Sequence, residues 1–307
     1  MKIFVTGATG FIGRRLILSL LTDGHEVTAL SRSAVRAKKI LGERAKVVEG
    51  NPLASGSWQE EVGRCDAVIN LCGEPILKKK WTPARKRLLL DSRIIPTKLI
   101  VAALETAQRR PQVLVSGSAI SYYGSHDAEL LTEDSSPGPK EFFAVALVVD
   151  WENEALKANR LGVRVVTLRT GIVLGRGGGA LTEMTKAFKF FAGGPIGNGR
   201  QYMSWIHIDD HIGMTKLALT NSGISDGLNM TAPSPVTNRE FMRAIGRTLG
   251  RPSRLPVPGF VLKLLFGEGA GLLLEGQRVL PKKAQDARYQ FLYSALEPAL
   301  ANVLSSA

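Results

Sequence analysis

The chain has 307 residues and a mass of 33.2 kDa, which is enough for about two domains. Its hydrophobic share of 44% and charged share of 22% are ordinary for globular proteins and exclude a disordered or collagen-like chain. Forty lysine and arginine residues against 27 aspartate and glutamate residues give a formal charge of +13, which favours anionic partners without determining the fold. The two cysteines, Cys65 and Cys72, lack metal-ligand spacing, so we expect neither a disulfide framework nor a metal site.

The N-terminal residues do not have the pattern of a targeting segment, because they are typical of a short strand that runs into a glycine turn. The most apolar later stretch, residues 255–274, is interrupted by Pro256, Pro258, Lys263 and Glu268, which makes it a poor membrane span. We therefore expect a cytoplasmic protein without a membrane-spanning segment.

Short apolar segments alternate with segments of helical length and period over the first 170 residues. The predicted strands are Ile3–Thr6, Glu26–Leu30, Lys46–Glu49, Ala67–Leu71, Gln112–Ser116 and Arg164–Arg169. The predicted helices are Phe11–Leu21, Ala34–Leu41, Pro83–Thr106 and Phe142–Asn159. Strands rich in Val, Ile and Leu are typical of a parallel sheet covered on both faces. The alternation therefore predicts an α/β fold with a Rossmann-type, doubly wound parallel sheet.

The pattern changes after residue 170. Glycines become frequent between residues 175 and 199, and a predicted helix at Asn238–Leu249 is followed by a break at residues 250–252 and a helical C-terminus. We predict a Rossmann domain over residues 1–170 and a smaller mixed lobe over residues 171–307 that supplies the substrate side of a cleft.

A glycine-rich turn, Gly7-Ala8-Thr9-Gly10-Phe11-Ile12-Gly13, follows the first strand and opens the first helix. In this context the first glycine permits a tight turn, the second lets backbone amides approach a diphosphate, and the third lets the helix pack close to the strand. The helix N-terminus then offers unpaired amides to the anion. The turn predicts dinucleotide binding.

The end of the second strand indicates which dinucleotide binds. An NAD site places Asp or Glu there to bond the ribose 2′-hydroxyl, but this chain has Ala29-Leu30-Ser31-Arg32-Ser33. No carboxylate in this segment would repel a 2′-phosphate, and Arg32 offers a bidentate donor that the hydroxyl of Ser31 can assist. The sequence therefore favours NADP(H) over NAD(H).

Motifs over nearly the whole chain resemble a known family. They are the glycine turn, Asn70-Leu71-Cys72-Gly73-Glu74, Trp81, Ser92-Arg93, Tyr122-Tyr123-Gly124, Trp151-Glu152, residues 169–175, 177–181 and 204–210, and three segments between residues 255 and 281. With these motifs the chain resembles the atypical extended short-chain dehydrogenases of the NAD-dependent epimerase/dehydratase superfamily, within the "epimerase family protein" subgroup.

The resemblance implies further cofactor and domain assignments. It places NADP contacts at Ser31 and Arg32, at Leu71 and Cys72 with the adjoining Gly73, and at Arg93. The carboxyl end of a buried strand, where residues 71–73 lie, is also where open α/β sheets bind ligands. The resemblance further implies a subgroup-specific C-terminal segment at about residues 250–300.

The usual catalytic pair of the superfamily is absent. Ordinary members use Tyr-x-x-x-Lys with a serine one strand earlier; Ser118 matches the serine, but the Tyr and Lys positions fall on Ala144 and Val148. Neither of these side chains can transfer a proton. Candidate substitutes near the nicotinamide are Tyr122 and Tyr123, and either can instead be a packing residue.

Two residues of the second lobe are candidates for substrate contact. Gln201 follows the glycine-rich run, where solvent exposure is an alternative. His207 lies in a segment that resembles the superfamily's substrate lobe, where a structural hydrogen bond is an alternative.

Three functions remain open at this point. The first is an NADP(H)-dependent oxidoreductase or epimerase-like enzyme acting on an unidentified small molecule. The second is a non-catalytic NADP(H)-binding redox sensor or partner-binding protein. The third, a nucleic-acid-binding module, has only the positive charge in its favour, so we expect no nucleic-acid partner. The amphipathic helices allow a homodimer but do not predict one.

Overall fold

The computed structural model describes residues 1–305. Its strands are β1 (Lys2–Thr6), β2 (Glu26–Ser31), β3 (Lys46–Glu49), β4 (Ala67–Asn70), β5 (Val113–Ala119), β6 (Leu130–Leu131), β7 (Arg164–Thr170), β8 (Ile172–Leu174), β9 (Tyr202–Met203), β10 (Trp205–His207), β11 (Asp226–Met230), β12 (Val236–Thr237) and β13 (Arg278–Val279). Its helices are α1 (Phe11–Thr22), α2 (Ala34–Leu41), α3 (Pro83–Thr106), α4 (Phe143–Leu156), α5 (Gly179–Lys189), α6 (Ile208–Thr220), α7 (Asn238–Leu249), α8 (Gly259–Phe266), α9 (Gly271–Leu274), α10 (Lys282–Asp286) and α11 (Leu296–Leu304). Four 3₁₀ segments join them, at Ser57–Arg64, Ile120–Tyr123, Lys157–Leu161 and Gly267–Ala270.

A seven-stranded parallel sheet forms the centre of the molecule, in the order β3-β2-β1-β4-β5-β7-β11. The first six strands of this sheet are the six predicted from apolar runs. The order in which the chain adds strands reverses between β1 and β4, as in a doubly wound sheet. The predicted Rossmann-type fold is confirmed.

The sheet buries both of its faces, as its continuous apolar strands require. Alternate residues of β1 point to opposite sides: Ile3 and Val5 pack with α1, α2 and α6, whereas Phe4 packs with α3 and the 3₁₀ segment that contains Trp58. Because the two faces are covered, ligands can reach the sheet only at the ends of its strands.

The seventh strand of the sheet comes from beyond residue 170. β11 pairs in parallel with β7, from Asp226 opposite Val166 to Met230 opposite Thr170. The predicted division of the chain near residue 170 stays a prediction, but the central sheet takes strands from both sides of it.

The remaining elements after β7 surround a second core. Phe188, Trp205, Phe241 and Leu300 are buried in it, and they come from α5, β10, α7 and α11. The predicted helix at Asn238–Leu249 is confirmed as α7, because Thr237 and Glu240 cap its start reciprocally and Gly250 ends it in the left-handed conformation. Within residues 1–305 no helix combines the length and apolar character needed to span a bilayer.

Candidate cofactor site and adjoining cavity

The glycine turn brings three parts of the chain into close contact. Gly7 has a φ of +68°, and a Cβ at this position would lie 2.5 Å from the carbonyl carbon of Leu71. A Cβ on Gly13 would lie 2.3 Å from the carbonyl oxygen of Gly7. Only glycine fits at either place. α1 begins directly after Gly10, which provides no side-chain cap, so the first-turn amides stay open to an anion.

A buried asparagine shapes the loop after β4. The Oδ1 of Asn70 accepts hydrogen bonds from the Thr6 hydroxyl at 2.7 Å and from the Cys72 amide at 3.3 Å, and its Nδ2 donates to the Thr97 hydroxyl at 2.9 Å. These bonds fix residues 71–73 beside the glycine turn. Two segments that are 64 residues apart in the sequence thus lie together at the carboxyl ends of β1 and β4, and we call this edge of the sheet the cofactor edge.

The end of β2 presents a free guanidinium to this edge. Arg32 is exposed and makes no hydrogen bond or ion pair with any of residues 1–305, whereas the Ser31 hydroxyl is bound locally to Ser33 at 3.1 Å. Burial raises the pKa of the Cys72 thiol, and the positive charge of Arg32 acts in the opposite direction. Because β2 and β4 both pair in parallel with β1, Arg32 follows β2 at the same edge of the sheet as the glycine turn and the loop after β4, as the sequence predicts for a cofactor contact.

The folded chain adds a carboxylate that the local sequence does not show. Sheet register places Glu49 of β3 opposite Ser31, and its Oε2 accepts a hydrogen bond from the Ala34 amide at 2.7 Å. Residues 29–33 hold no carboxylate, as the sequence shows, but the sheet register brings Glu49 from the neighbouring strand to this end of β2.

Arg93 supports the same loop from α3. Its Nη2 donates to the Glu74 carbonyl at 3.0 Å, and the guanidinium lies 5.3 Å from the ring centre of Trp151. Burial, together with the nearby charge of Arg85, lowers the pKa of Arg93 to about 10. In the described part of the chain it has no carboxylate partner, so this half-buried cation favours an anionic or electron-rich ligand.

Ser118 belongs to a buried charged network. Its hydroxyl donates to the Oε1 of Glu152 at 2.5 Å, and the Glu152 carboxylate accepts two hydrogen bonds from Arg169, each at 2.9 Å. All three residues are less than 7% exposed. The resemblance marks Glu152 and Arg169 as motif residues, but no sequence pattern indicated that they form a pair.

The two candidate tyrosines contact the same arginine. The Tyr123 hydroxyl donates to Asn229 at 2.7 Å and accepts from Arg169 at 3.0 Å, while the Tyr122 ring lies 3.5 Å from the Arg169 guanidinium. Tyr123 is fully buried, and burial raises its pKa to about 12. Because the Tyr123 hydroxyl has two hydrogen-bond partners inside the protein and is not exposed, we do not expect Tyr123 to donate a proton to a substrate. Tyr122 is half-buried and keeps that role as a prediction.

A cavity of about 170 Å³ lies beside the start of α4. Ala144, the position of the missing catalytic tyrosine, lines it together with Val145. The remaining lining side chains are the apolar Trp81, Phe142, Phe143 and Leu272 and the polar Ser121, Ser125, Glu268, Glu275 and Gln277. Its walls thus combine the loops after β4 and β5 with the segment after α8. That segment belongs to the lobe predicted to supply the substrate side, but the sequence identified none of its residues as site residues.

The two predicted substrate residues do not line this cavity. The Nε2 of Gln201 donates to the carbonyls of Ile196 and Leu273, at 3.1 and 2.9 Å. His207 is buried: its Nδ1 accepts from the Asp209 amide at 3.2 Å and caps α6, and burial lowers its pKa. The placement of His207 favours its structural alternative. The Gln201 side chain is bound to two backbone carbonyls, which agrees with neither the substrate contact nor the solvent exposure considered for it, and substrate contact stays a prediction for both residues.

A parallel sheet in this order, with a glycine turn after β1 and cations at the ends of β2 and β4, defines a Rossmann-fold protein of the short-chain dehydrogenase class. The chain belongs to the NAD dependent epimerase/dehydratase family, whose model matches residues 3–229. A second model, a domain of unknown function named DUF1731, matches residues 257–303.

Full-length relatives agree with this assignment. The chain is 44% identical over 307 residues to "Epimerase family protein SDR39U1 homolog, chloroplastic" of Arabidopsis thaliana, covering 99% of this chain and 87% of that one. It is 38% identical to the epimerase family protein YfhF of Bacillus subtilis, covering 99% and 98%. Because the plant relative is described as chloroplastic, the cytoplasmic location expected for this chain stays a prediction.

A crystal structure of human epimerase family protein SDR39U1 with NADPH is similar throughout. It is 36% identical, the TM-score is 0.86, and the match covers 99% of each chain. A UDP-glucuronic acid 4-epimerase from Bacillus cereus has a TM-score of 0.80 at 19% identity, covering 99% of this chain and 98% of that one. This second likeness shows the common fold alone.

Proposed function

We propose that this protein binds NADP(H) across the glycine turn and the ends of β2 and β4. The observation that carries the proposal is the free guanidinium of Arg32, which follows β2 at the same edge of the sheet as the glycine turn and the loop after β4, where the glycines leave room for a diphosphate. The amides of α1 would hold the diphosphate, and Arg32 with Ser31 would hold the 2′-phosphate. The NADPH in the crystal structure of the human relative supports the same choice of cofactor.

We further propose an oxidoreductase or epimerase-like activity on a small molecule in the cavity beside Ala144. Hydride for a reduction comes from the nicotinamide of bound NADPH, which is oxidised to NADP⁺ as a carbonyl takes up hydride and one proton to become an alcohol. Ala144 and Val148 replace the usual pair and cannot transfer a proton, so we assign proton transfer to water at the cavity or to Tyr122, which follows β5 beside the lining residue Ser121. Glu152 fixes the Ser118 hydroxyl at the end of β5, where it can orient the reacting group.

The direct test is a fluorescence titration with NADPH and NADH. Arg32→Ala should weaken NADPH binding by about 1.5–3 kcal/mol, the value of a charge-assisted hydrogen bond, and leave NADH binding nearly unchanged. Lys39→Ala is the matched control, since Lys39 is an exposed cation on the neighbouring α2. Equal affinities for the two cofactors in the wild-type protein, or an equal effect of the two variants on NADPH, would contradict the assignment.

A non-catalytic NADP(H)-binding sensor is a second candidate. Its support is that the Ser118 and Tyr123 hydroxyls are both bound inside the protein and that the Tyr-x-x-x-Lys positions are apolar. Following nicotinamide absorbance over a panel of carbonyl compounds separates the two functions. Turnover that is lost in Tyr122→Phe supports the enzyme, and tight cofactor binding without turnover across the panel supports the sensor.

A further inference from the structure

We propose that the cavity beside Ala144 binds a small, mainly apolar molecule that carries a hydrogen-bond donor and no anionic group, and that it excludes nucleotide sugars. The inference rests on the proposed function, because it takes this cavity as the substrate side of that site. The proposed ligand differs from the UDP-sugars named for structures of the same fold.

The size of the cavity restricts the ligand. A volume of about 170 Å³ corresponds to roughly five or six water molecules at about 30 Å³ each. This space accommodates one substituted ring, whereas most of a nucleotide joined to a sugar would lie outside it. Part of the space exists because Ala144 stands where a tyrosine ring would otherwise project.

The segment after α8 forms one wall of the cavity and packs closely against Trp81. A Cβ on Gly269 would lie 2.9 Å from the indole of Trp81, so only glycine lets this segment lie flat on the ring. The Trp81 amide donates to the Phe266 carbonyl at 3.3 Å, and the Gln277 side chain donates to the Gly124 carbonyl at 2.6 Å. These contacts hold the wall in place and limit expansion toward a larger ligand.

The charge of the lining opposes an anion. Glu268 and Glu275 both line the cavity, whereas no lysine or arginine of residues 1–305 does so, although the chain as a whole carries +13. Lys86 pairs with Glu268 from outside the lining, and Glu275 forms no ion pair with the described residues. Diphosphates are commonly bound by arginine guanidinium groups and unpaired backbone amides, and the described lining of this cavity contains no arginine or lysine.

The polar side chains of the lining have open acceptor atoms for a ligand donor. The Nε2 of Gln277 is bound to Gly124, which leaves its Oε1 as an acceptor with no partner in the part of the chain described. The Ser121 hydroxyl likewise has no hydrogen bond to residues 1–305. A ligand hydroxyl, amide N–H or ammonium would complete these groups, while Trp81, Phe143 and Leu272 contact its apolar part.

Three small ring compounds that differ in charge and in hydrogen-bond donors test this chemistry, with UDP-glucose as the large anionic comparison. Benzyl alcohol, benzylamine and benzoate are titrated into the NADPH-loaded full-length protein and followed by ligand-observed NMR. Benzyl alcohol and benzylamine should bind, and benzoate should bind about five-fold more weakly, because its carboxylate would be repelled by the exposed carboxylate of Glu275 and finds no cation in the described lining. Equal or tighter binding of benzoate or UDP-glucose, or no binding of any ring compound, would overturn the proposal.

Variants locate the binding in the cavity. Ala144→Tyr and, from the opposite wall, Leu272→Trp should each remove benzyl alcohol binding, whereas Ala301→Tyr on the exposed face of α11 should not. Glu275→Gln should reduce the preference for benzylamine over benzyl alcohol about two- to five-fold. Binding that survives both filling variants would refute the site. Every variant is also titrated with NADPH. Normal NADPH binding shows that a variant is folded and that a negative result concerns the cavity and not the cofactor site.

Discussion

Replacing Glu152 by alanine should destabilise the protein severely, because it leaves a buried cation without its carboxylate. Arg169 is 5% exposed, and Glu152 receives two of its three side-chain hydrogen bonds. Removing one partner of such a pair costs about 3–5 kcal/mol. A chain of 307 residues has an unfolding entropy of about 0.6 kcal/mol/K, so the melting temperature should fall by about 5–8 °C.

Thermal and denaturant unfolding of the cofactor-free protein measure this loss. Glu154→Ala is the matched control: it lies two residues along the same helix and pairs at 2.6 Å with an exposed lysine, Lys157, an interaction worth at most about 1 kcal/mol. Ser118→Ala removes a single charge-assisted hydrogen bond and should cost an intermediate amount, about 1.5–3 kcal/mol. Similar losses in Glu152→Ala and Glu154→Ala would refute the reasoning, because burial would then make no difference to the value of the pair.

Two further predictions concern cofactor choice and acid stability. Glu49→Gln should raise NADPH affinity relative to NADH about two- to five-fold, since it removes an exposed negative charge beside Ser31. An unchanged ratio in the fluorescence titration would place the 2′-phosphate elsewhere. Burial lowers the pKa of His211 to about 4, so the stability contributed by its neutral ring is complete above about pH 6.5 and is lost as the pH falls through about 4. His211→Gln should therefore flatten the pH dependence of the unfolding midpoint between about pH 4 and 6.5. Parallel curves for variant and wild type would show that His211 does not cause this pH dependence.

Local patterns were sufficient for the central sheet and its first helices. Apolar runs such as Ala67–Leu71 and Gln112–Ser116 became strands because they are buried on both faces whatever lies further along the chain. α3 begins at Pro83, where the sequence predicts, because Thr82 caps it and proline suits the first turn. The seventh strand was not predicted, since Asp226–Met230 includes a glycine and two polar residues and takes its place by pairing with β7.

The cofactor edge was predictable to a similar extent. Gly7 and Gly13 behave as the motif requires, because the contacts that demand glycine lie within a few residues or against the loop after β4. Glu49 was missed because its proximity to Ser31 is a property of sheet register and not of neighbouring positions in the sequence.

The sequence by itself determined the class of fold and the turn at which an anionic cofactor can sit, because both follow from short-range periodicity and from where only glycine fits. The tertiary structure alone decided what Ser118 and Tyr123 do, since the charge that engages them comes from Glu152 and Arg169 on two other elements. It also decided the cavity, whose lining from Trp81 to Gln277 spans nearly 200 residues of chain. Contacts between segments so far apart depend on how the two lobes pack, and no local pattern records that packing.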